Sequence, residues 1–182
     1  MHVVSGSLYT LIHASVTRGE AAIEEMGVLK GYRGVIVHDR LAMYWKLKRA
    51  KHGLCGAHLL RDLAEVAVVA TQAAWAAGLA ALLVEVNSTC IGASRRGWKQ
   101  LDLSTKRKFS KAYDELVATA RAANPEPVHR KRNPVERRSY NLAKAFADHR
   151  PSILRFMNDL QVPMTNYPDA GHYADVVGGA LL

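Results

Sequence analysis

The first third of the chain alternates short extended patterns with helical ones. Two β-rich runs, residues 2–5 and 8–14, are separated by a glycine, which predicts a hairpin. Thr17 is followed three positions later by Glu20, the spacing of a helix capping box, and Gly27 is placed to end that helix. This opening therefore predicts two strands followed by a helix.

A third strand is predicted over residues 32–38, where three β-branched apolar residues are consecutive. Such a run is typical of a strand that is buried on both faces. The strand ends at Asp39, and a short helix is predicted over residues 41–47. With all strands early and helices afterwards, the order of elements predicts an α/β domain whose sheet comes from the first third of the chain.

The remainder of the chain has mainly helical periodicity. Residues 104–123 predict a helix capped by Ser104, and residues 135–160 predict a last helix that Pro151 would break. Residues 87–97 are predicted as a loop, and residues 124–134, with three prolines, as a linker. Over residues 59–84, apolar residues recur in steps of four and three and predict one apolar stripe on one helix: Leu59, Leu63, Val66, Ala70, Ala73, Ala77, Ala80 and Val84.

Residues 66–84 are uncharged and, at nineteen residues, long enough to span a bilayer. Thr71, Gln72 and Gly78 interrupt this stretch, and much of the rest is alanine, which contributes little to membrane insertion. A buried helix in a soluble domain is therefore preferred to a membrane-spanning one, and no membrane partner is expected.

Composition indicates a single basic globular domain. The 182 residues are 49% apolar and carry 25 Lys and Arg against 16 Asp and Glu, a formal net charge of +9. A folded domain this basic usually binds a polyanion, most often nucleic acid. Two cysteines form no disulfide framework and the first residues do not resemble a signal peptide, so we expect a cytoplasmic protein.

Four clusters of cations account for most of the charge, and clustered cations are suited to neutralising DNA phosphates. Solvated helix faces are the alternative interpretation. No paired-cysteine finger, basic zipper or glycine-rich phosphate loop accompanies the clusters, so no base-reading motif is recognisable. The candidate DNA-binding residues are Lys46, Lys48, Arg49, Lys51, Arg95, Arg96, Lys106, Arg107, Lys108, Arg130, Lys131, Arg132, Arg137 and Arg138.

Asp39 is the candidate for catalytic chemistry, because ligands in α/β sheets lie beyond the carboxyl ends of strands. A carboxylate there could bind a hard cation such as Mg²⁺. Its alternative role is to cap the helix that follows. A second candidate group is His52, Cys55 and His58, which would share one face if the segment were helical and could bind zinc, although packing is the more ordinary role.

Three segments of the chain resemble bacterial DDE transposases of the insertion-sequence-66 family. They are GYRGVIVHDRLAMY at 31–44, HGLCGAHLLRDL at 52–63, and NLAKAFADHRPSILRFMNDLQVPMTN at 141–166. The resemblance implies a ribonuclease-H-like fold in which two Asp and one Glu hold two Mg²⁺ or Mn²⁺ ions for attack on a DNA phosphodiester. Asp39 matches the second Asp, and Cys55, His58 and Arg61 match a C-x-x-H-x-x-R segment of unknown role.

The resemblance also implies that DNA, as transposon ends and target, is the partner, and that the basic clusters line its path. It further implies a protein associated with the bacterial nucleoid. The family's first Asp falls before the position of His2, and Ala170 stands where the Glu is expected, after a pattern that Tyr167 breaks. We therefore expect this polypeptide alone not to cut or join DNA. Non-catalytic DNA binding, or inhibition of an intact transposase by mixed assembly, is the alternative function.

The expected organisation is a partial ribonuclease-H-like core with a helical insertion over 1–123, a linker at 124–134, a C-terminal helix of the catalytic domain at 135–166 and a divergent tail at 167–182. Without the strand that bears the first Asp, its neighbours in the sheet would lose hydrogen-bonding partners. Marginal stability or self-association is the expected consequence.

Overall fold

The computed structural model describes residues 2–5, 10–13, 20–126 and 134–166. Over these ranges the protein is mixed α/β and mostly helical. The strands are β1 (His2–Ser5), β2 (Thr10–His13), β3 (Val35–His38) and β4 (Lys51–Leu54), with a short 3₁₀ helix (Ala42–Lys46) between β3 and β4. The α-helices are α1 (Glu20–Met26), α2 (Gly56–Ala67), α3 (Ala70–Arg95), α4 (Leu103–Ala123), α5 (Pro134–Asp148), α6 (Arg150–Ile153) and α7 (Arg155–Asn158).

The described strands form two small sheets. Strands β1 and β2 pair antiparallel, with His2 opposite His13, which confirms the predicted hairpin. Strands β3 and β4 pair parallel, with Val35 opposite Lys51. The sequence did not predict β4, because Lys-His-Gly-Leu has no β-branched residue and becomes a strand through its pairing with β3. The α/β class is confirmed.

The predicted continuous stripe from residue 59 to residue 84 is wrong beyond α2. The chain leaves the helical conformation at Val69, and neighbouring Val68 is 86% exposed. In α2 the predicted residues Leu59 and Leu63 are buried, but α3 begins with a new phase and buries a different set. The buried residues of α3 are Trp75, Ala76, Leu79, Leu82, Leu83, Val86, Cys90 and Ala93.

Helix α3 continues through Arg95, so the loop predicted over 87–97 is wrong for most of its length. Its buried positions Val86, Cys90 and Ala93 keep the helical spacing across the polar residues at 87–89, and this packing overrides their weak helix propensity. Gly97, with φ +80°, ends the helix in the left-handed conformation that glycine adopts without strain.

Helix α3 is also the one described helix that is long and apolar enough to cross a membrane, a test that core helices of soluble proteins pass as well. Its buried side chains belong to a single hydrophobic core with residues from α2, α4, α5, α6 and α7. Within that core the hydroxyl of Tyr113 donates a 2.7 Å hydrogen bond to the Phe146 carbonyl, joining α4 to α5.

Two helix boundaries differ slightly from prediction. Helix α4 is capped by Asp102, whose carboxylate accepts the Thr105 N–H at 2.9 Å, rather than by Ser104. The predicted helix over 135–160 is divided into α5, α6 and α7, and its first interruption, at His149, lies two residues before Pro151. Thr17, predicted as a helix cap, lies outside the described residues.

Candidate functional site

Asp39 follows β3 directly and lies half-buried at the carboxyl end of the parallel strand pair. One of its carboxylate oxygens accepts the Leu41 N–H at 3.0 Å, which fixes the turn before the 3₁₀ helix. The next residue, Arg40, forms an ion pair with Asp62 of α2. The strand end is thus held in place both by its own turn and by the helix that follows β4.

Cys55 connects the end of β4 to the first turn of α2 and is 1% exposed. Its N–H donates to the His38 carbonyl at 2.8 Å, so the parallel pairing continues to the residue preceding Asp39. Its Sγ lies 3.4 Å from the Thr165 hydroxyl. One residue therefore contacts both the strand that leads to Asp39 and a segment more than a hundred positions later in the chain.

Cys55 and His58 are neighbours on the first turn of α2, as residues three apart on a helix are. Burial raises the pKa of the Cys55 thiol, but hydrogen bonds with His58 and Thr165 outweigh that effect and hold it at about 7. The hydrogen bond with Cys55 raises the pKa of His58, and the negative charge of Asp39 acts in the same direction. Arg61, the third residue of this motif, is exposed one turn further along α2.

The zinc alternative does not fit this arrangement. His52 lies in β4, where its Nδ1 is 2.9 Å from Nε2 of His38, whereas the Cys55 thiol interacts with His58 and Thr165. Among the described residues, no group of three or more His, Cys, Asp or Glu side chains could hold a metal ion. The same finding means that Asp39 does not have its metal-binding partners within the described part of the chain.

Residues 162–166 pack against the junction between β4 and α2. The Gly56 N–H donates to the Met164 carbonyl at 2.7 Å, and Met164 and Thr165 are buried. The last segment of the resemblance, which leads toward the position of the family's Glu, therefore lies beside the strand end that carries Asp39. Position 170 itself lies outside the described residues.

A cluster of aromatic and histidine side chains, which the sequence did not predict, lies at the end of β3. Trp45 stacks on His149 of the α5–α6 junction, with ring centroids 4.4 Å apart and nearly parallel planes. His38 is 2% exposed, and burial lowers its pKa from 6.5 to about 4. It is therefore neutral at pH 7 and suited to packing. The contacts join residues far apart in sequence, so no local pattern signals them.

The basic residues predicted to bind DNA are mostly exposed. Lys48 and Arg49 lie in the turn before β4, and Arg95 and Arg96 lie at the end of α3. Lys108 pairs with Glu85 at 3.5 Å and Arg138 with Glu65 at 2.7 Å, so each of these cations is partly neutralised. The exposed ones are Lys46, Lys48, Arg49, Lys51, Arg95, Arg96, Arg107, Lys108, Arg137 and Arg138; Lys106 is half-buried, and Arg130, Lys131 and Arg132 lie outside the described residues.

Comparison with known proteins gives one match. Residues 1–168 match the sequence model of a family described as Transposase IS66 family. No curated protein matches the chain, and no solved structure matches it. The match covers the strand end with Asp39, the Cys55 and His58 pair, and the segment at 162–166.

Proposed function

This chain belongs to the IS66 family of transposases, and we propose that it acts in DNA transposition by binding DNA through its basic surface, with Asp39 as the family's second catalytic carboxylate. The observation that carries the proposal is the contact between Gly56 and Met164. It brings two of the three segments of the family resemblance, 52–63 and 141–166, which are distant in sequence, to the carboxyl end of the same strand pair.

DDE transposases use divalent metal ions, which their carboxylates hold beside the DNA phosphodiester. The described residues supply Asp39 at the expected strand end but do not complete a metal site around it. We propose that the 182-residue polypeptide has a partial ribonuclease-H-like fold and binds DNA without breaking it, because the metal site around Asp39 needs further carboxylates.

Exposed cations support DNA binding through charge. Lys48 and Arg49 are exposed in the turn that connects the 3₁₀ helix to β4, and the chain as a whole carries a net charge of +9. Each phosphate that a cation neutralises releases counterions, so log affinity falls with log salt concentration with a slope of about −0.9 per phosphate. Salt dependence therefore measures the number of phosphate contacts.

The test is fluorescence anisotropy of a labelled 30-base-pair duplex at 50 to 200 mM salt. We expect the Lys48→Gln, Arg49→Gln double variant to reduce the salt slope by about 2. The matched control removes the same charge elsewhere with Lys30→Gln and Lys144→Gln, and should change the slope less. Absence of DNA binding, or equal slopes for both double variants, would contradict the proposed DNA path.

A strand-transfer assay with Mg²⁺ or Mn²⁺ tests the second part of the proposal. The purified 182-residue chain should give no cleaved or joined product, and Asp39→Ala should bind DNA as the parent does. Metal-dependent strand transfer that Asp39→Ala abolishes would show that the polypeptide is catalytically complete, and the proposal of binding without chemistry would be wrong.

A further inference from the structure

Trp98 is the most exposed of the three tryptophans. Of the three tryptophans, Trp75 is buried and Trp45 is half-buried, whereas Trp98 is 48% exposed in the turn between α3 and α4. The Trp98 N–H donates to the Ala93 carbonyl at 3.1 Å, and this bond ties its backbone to the last turn of α3. The backbone of the turn that carries the ring is thus fixed by a hydrogen bond.

One cation contacts this ring, and further cations are exposed on neighbouring positions of the chain. The Arg96 guanidinium carbon lies 4.9 Å from the ring centroid of Trp98, which is cation–π distance. Arg95 and Lys99 are exposed on either side along the chain, and Arg107 is exposed on the following helix. The single acidic residue between positions 96 and 103, Asp102, has its carboxylate bound to Ser104 and Thr105 at the start of α4.

The turn and the first residue of α2 contact the same C-terminal segment of the chain. The Lys99 carbonyl accepts the Leu160 N–H at 3.4 Å, and the Met164 carbonyl accepts the Gly56 N–H at 2.7 Å. Four residue steps separate Leu160 from Met164, a span of at most about 14 Å. The two contacts therefore lie within about four base pairs of duplex DNA of each other.

We propose that Trp98 and Arg96 form a platform on which an unpaired DNA base stacks while the flanking cations hold its phosphates. The proposal rests on the DNA binding proposed above and adds the site and the form of DNA that it prefers. A half-exposed ring can stack on any base, because every base has a π face, whereas in an intact duplex the bases are already stacked on one another. The platform therefore selects gapped or frayed DNA over fully paired DNA.

The experiment compares two labelled DNAs with the full 182-residue chain: a 30-base-pair duplex, and the same duplex with a gap of five unpaired nucleotides. We expect the parent to prefer the gapped DNA and Trp98→Ala to lose about tenfold in affinity for it, with duplex affinity nearly unchanged. Trp98→Phe keeps a ring and should retain most of the preference. Val68→Ala, which alters an exposed apolar side chain at the other end of α3, should behave as the parent.

Tryptophan fluorescence provides a readout that does not depend on affinity. Emission should be quenched when the parent binds gapped DNA, and most of that quenching should disappear in Trp98→Phe. Equal binding of both DNAs by the parent, or an unchanged preference in Trp98→Ala, would overturn the stacking proposal and leave the proposed DNA binding intact. Absence of binding to either DNA would instead overturn the proposed function, and the stacking proposal with it.

Discussion

Gly56 lies where the first turn of α2 meets residues 162–166, and it has no room for a side chain. A Cβ added at Gly56 would lie 2.3 Å from Cε and 2.6 Å from Cγ of Met164. The Met164 backbone is held by its hydrogen bond from the Gly56 N–H, so in Gly56→Ala the Met164 side chain must move. The perturbation therefore acts directly on the contact that joins segments 52–63 and 141–166 of the family resemblance.

The expected magnitude follows from two opposing effects. Overpacking a buried site costs about 1–3 kcal/mol, and replacing glycine by alanine in a helix returns about 0.5–1 kcal/mol. We therefore expect Gly56→Ala to lower the free energy of unfolding by up to about 2.5 kcal/mol. Met164→Ala should lower it by about 2 kcal/mol or more through the cavity that it opens.

The double variant separates this explanation from a general helix effect. With Met164 shortened, the methyl group that Gly56→Ala adds fills part of the cavity, so the double variant should be more stable than the sum of the two single changes by about 1 kcal/mol. Urea unfolding followed by circular dichroism measures the free energy of unfolding of all three variants. In thermal unfolding, the Tm of a chain of this size should shift by about 2–4 °C per kcal/mol.

Gly92→Ala is the matched control, because a Cβ at Gly92 in α3 would meet only an Arg96 side-chain nitrogen at 3.6 Å, an ordinary contact. It should stabilise the protein by up to about 1 kcal/mol. If Gly56→Ala stabilises the protein as Gly92→Ala does, or if the double variant is strictly additive, the Gly56–Met164 contact does not hold residues 162–166 against α2 and the reasoning is refuted.

Three further predictions concern the core and the buried ionisable groups. Because burial lowers the pKa of His38 to about 4, the unfolded chain binds a proton at this histidine more readily than the folded chain does, so the free energy of unfolding should fall as the pH drops from 6.5 toward 4. His38→Asn should flatten part of that decline, as measured by urea midpoints at each pH. An unchanged pH profile in His38→Asn would contradict this prediction. Tyr113→Phe should cost about 1–3 kcal/mol in thermal unfolding, because it leaves the buried Phe146 carbonyl without its donor, and a neutral result would count against that bond. Although the pKa of the Cys55 thiol is about 7, its burial should make its labelling by iodoacetamide slow, as measured in a Cys90→Ser background. Adding Met164→Ala should make that labelling faster. Rapid labelling of Cys55 with Met164 intact would show that residues 162–166 do not cover the thiol.

Several features could be predicted from local pattern alone. The consecutive Val35, Ile36 and Val37 predicted β3, and the residue after that strand predicted where a carboxylate would lie. Gly27 ended α1 as predicted, because glycine adopts the required φ of +70° without strain. The family resemblance could also be recognised from the sequence, since its motifs are short and contiguous. These features depend on neighbours in the chain, which the sequence contains in full.

Other features depended on which segments meet in three dimensions. Strand β4 exists because it pairs with β3, and Cys55 touches Thr165 because α2 and residues 162–166 pack together. The helix break at Val69 reset the phase of the apolar stripe, so the pattern before the break could not predict the buried face after it. The periodicity of a sequence indicates whether a segment prefers a helix or a strand. Which other segment buries its apolar side chains is decided only when the whole chain is packed.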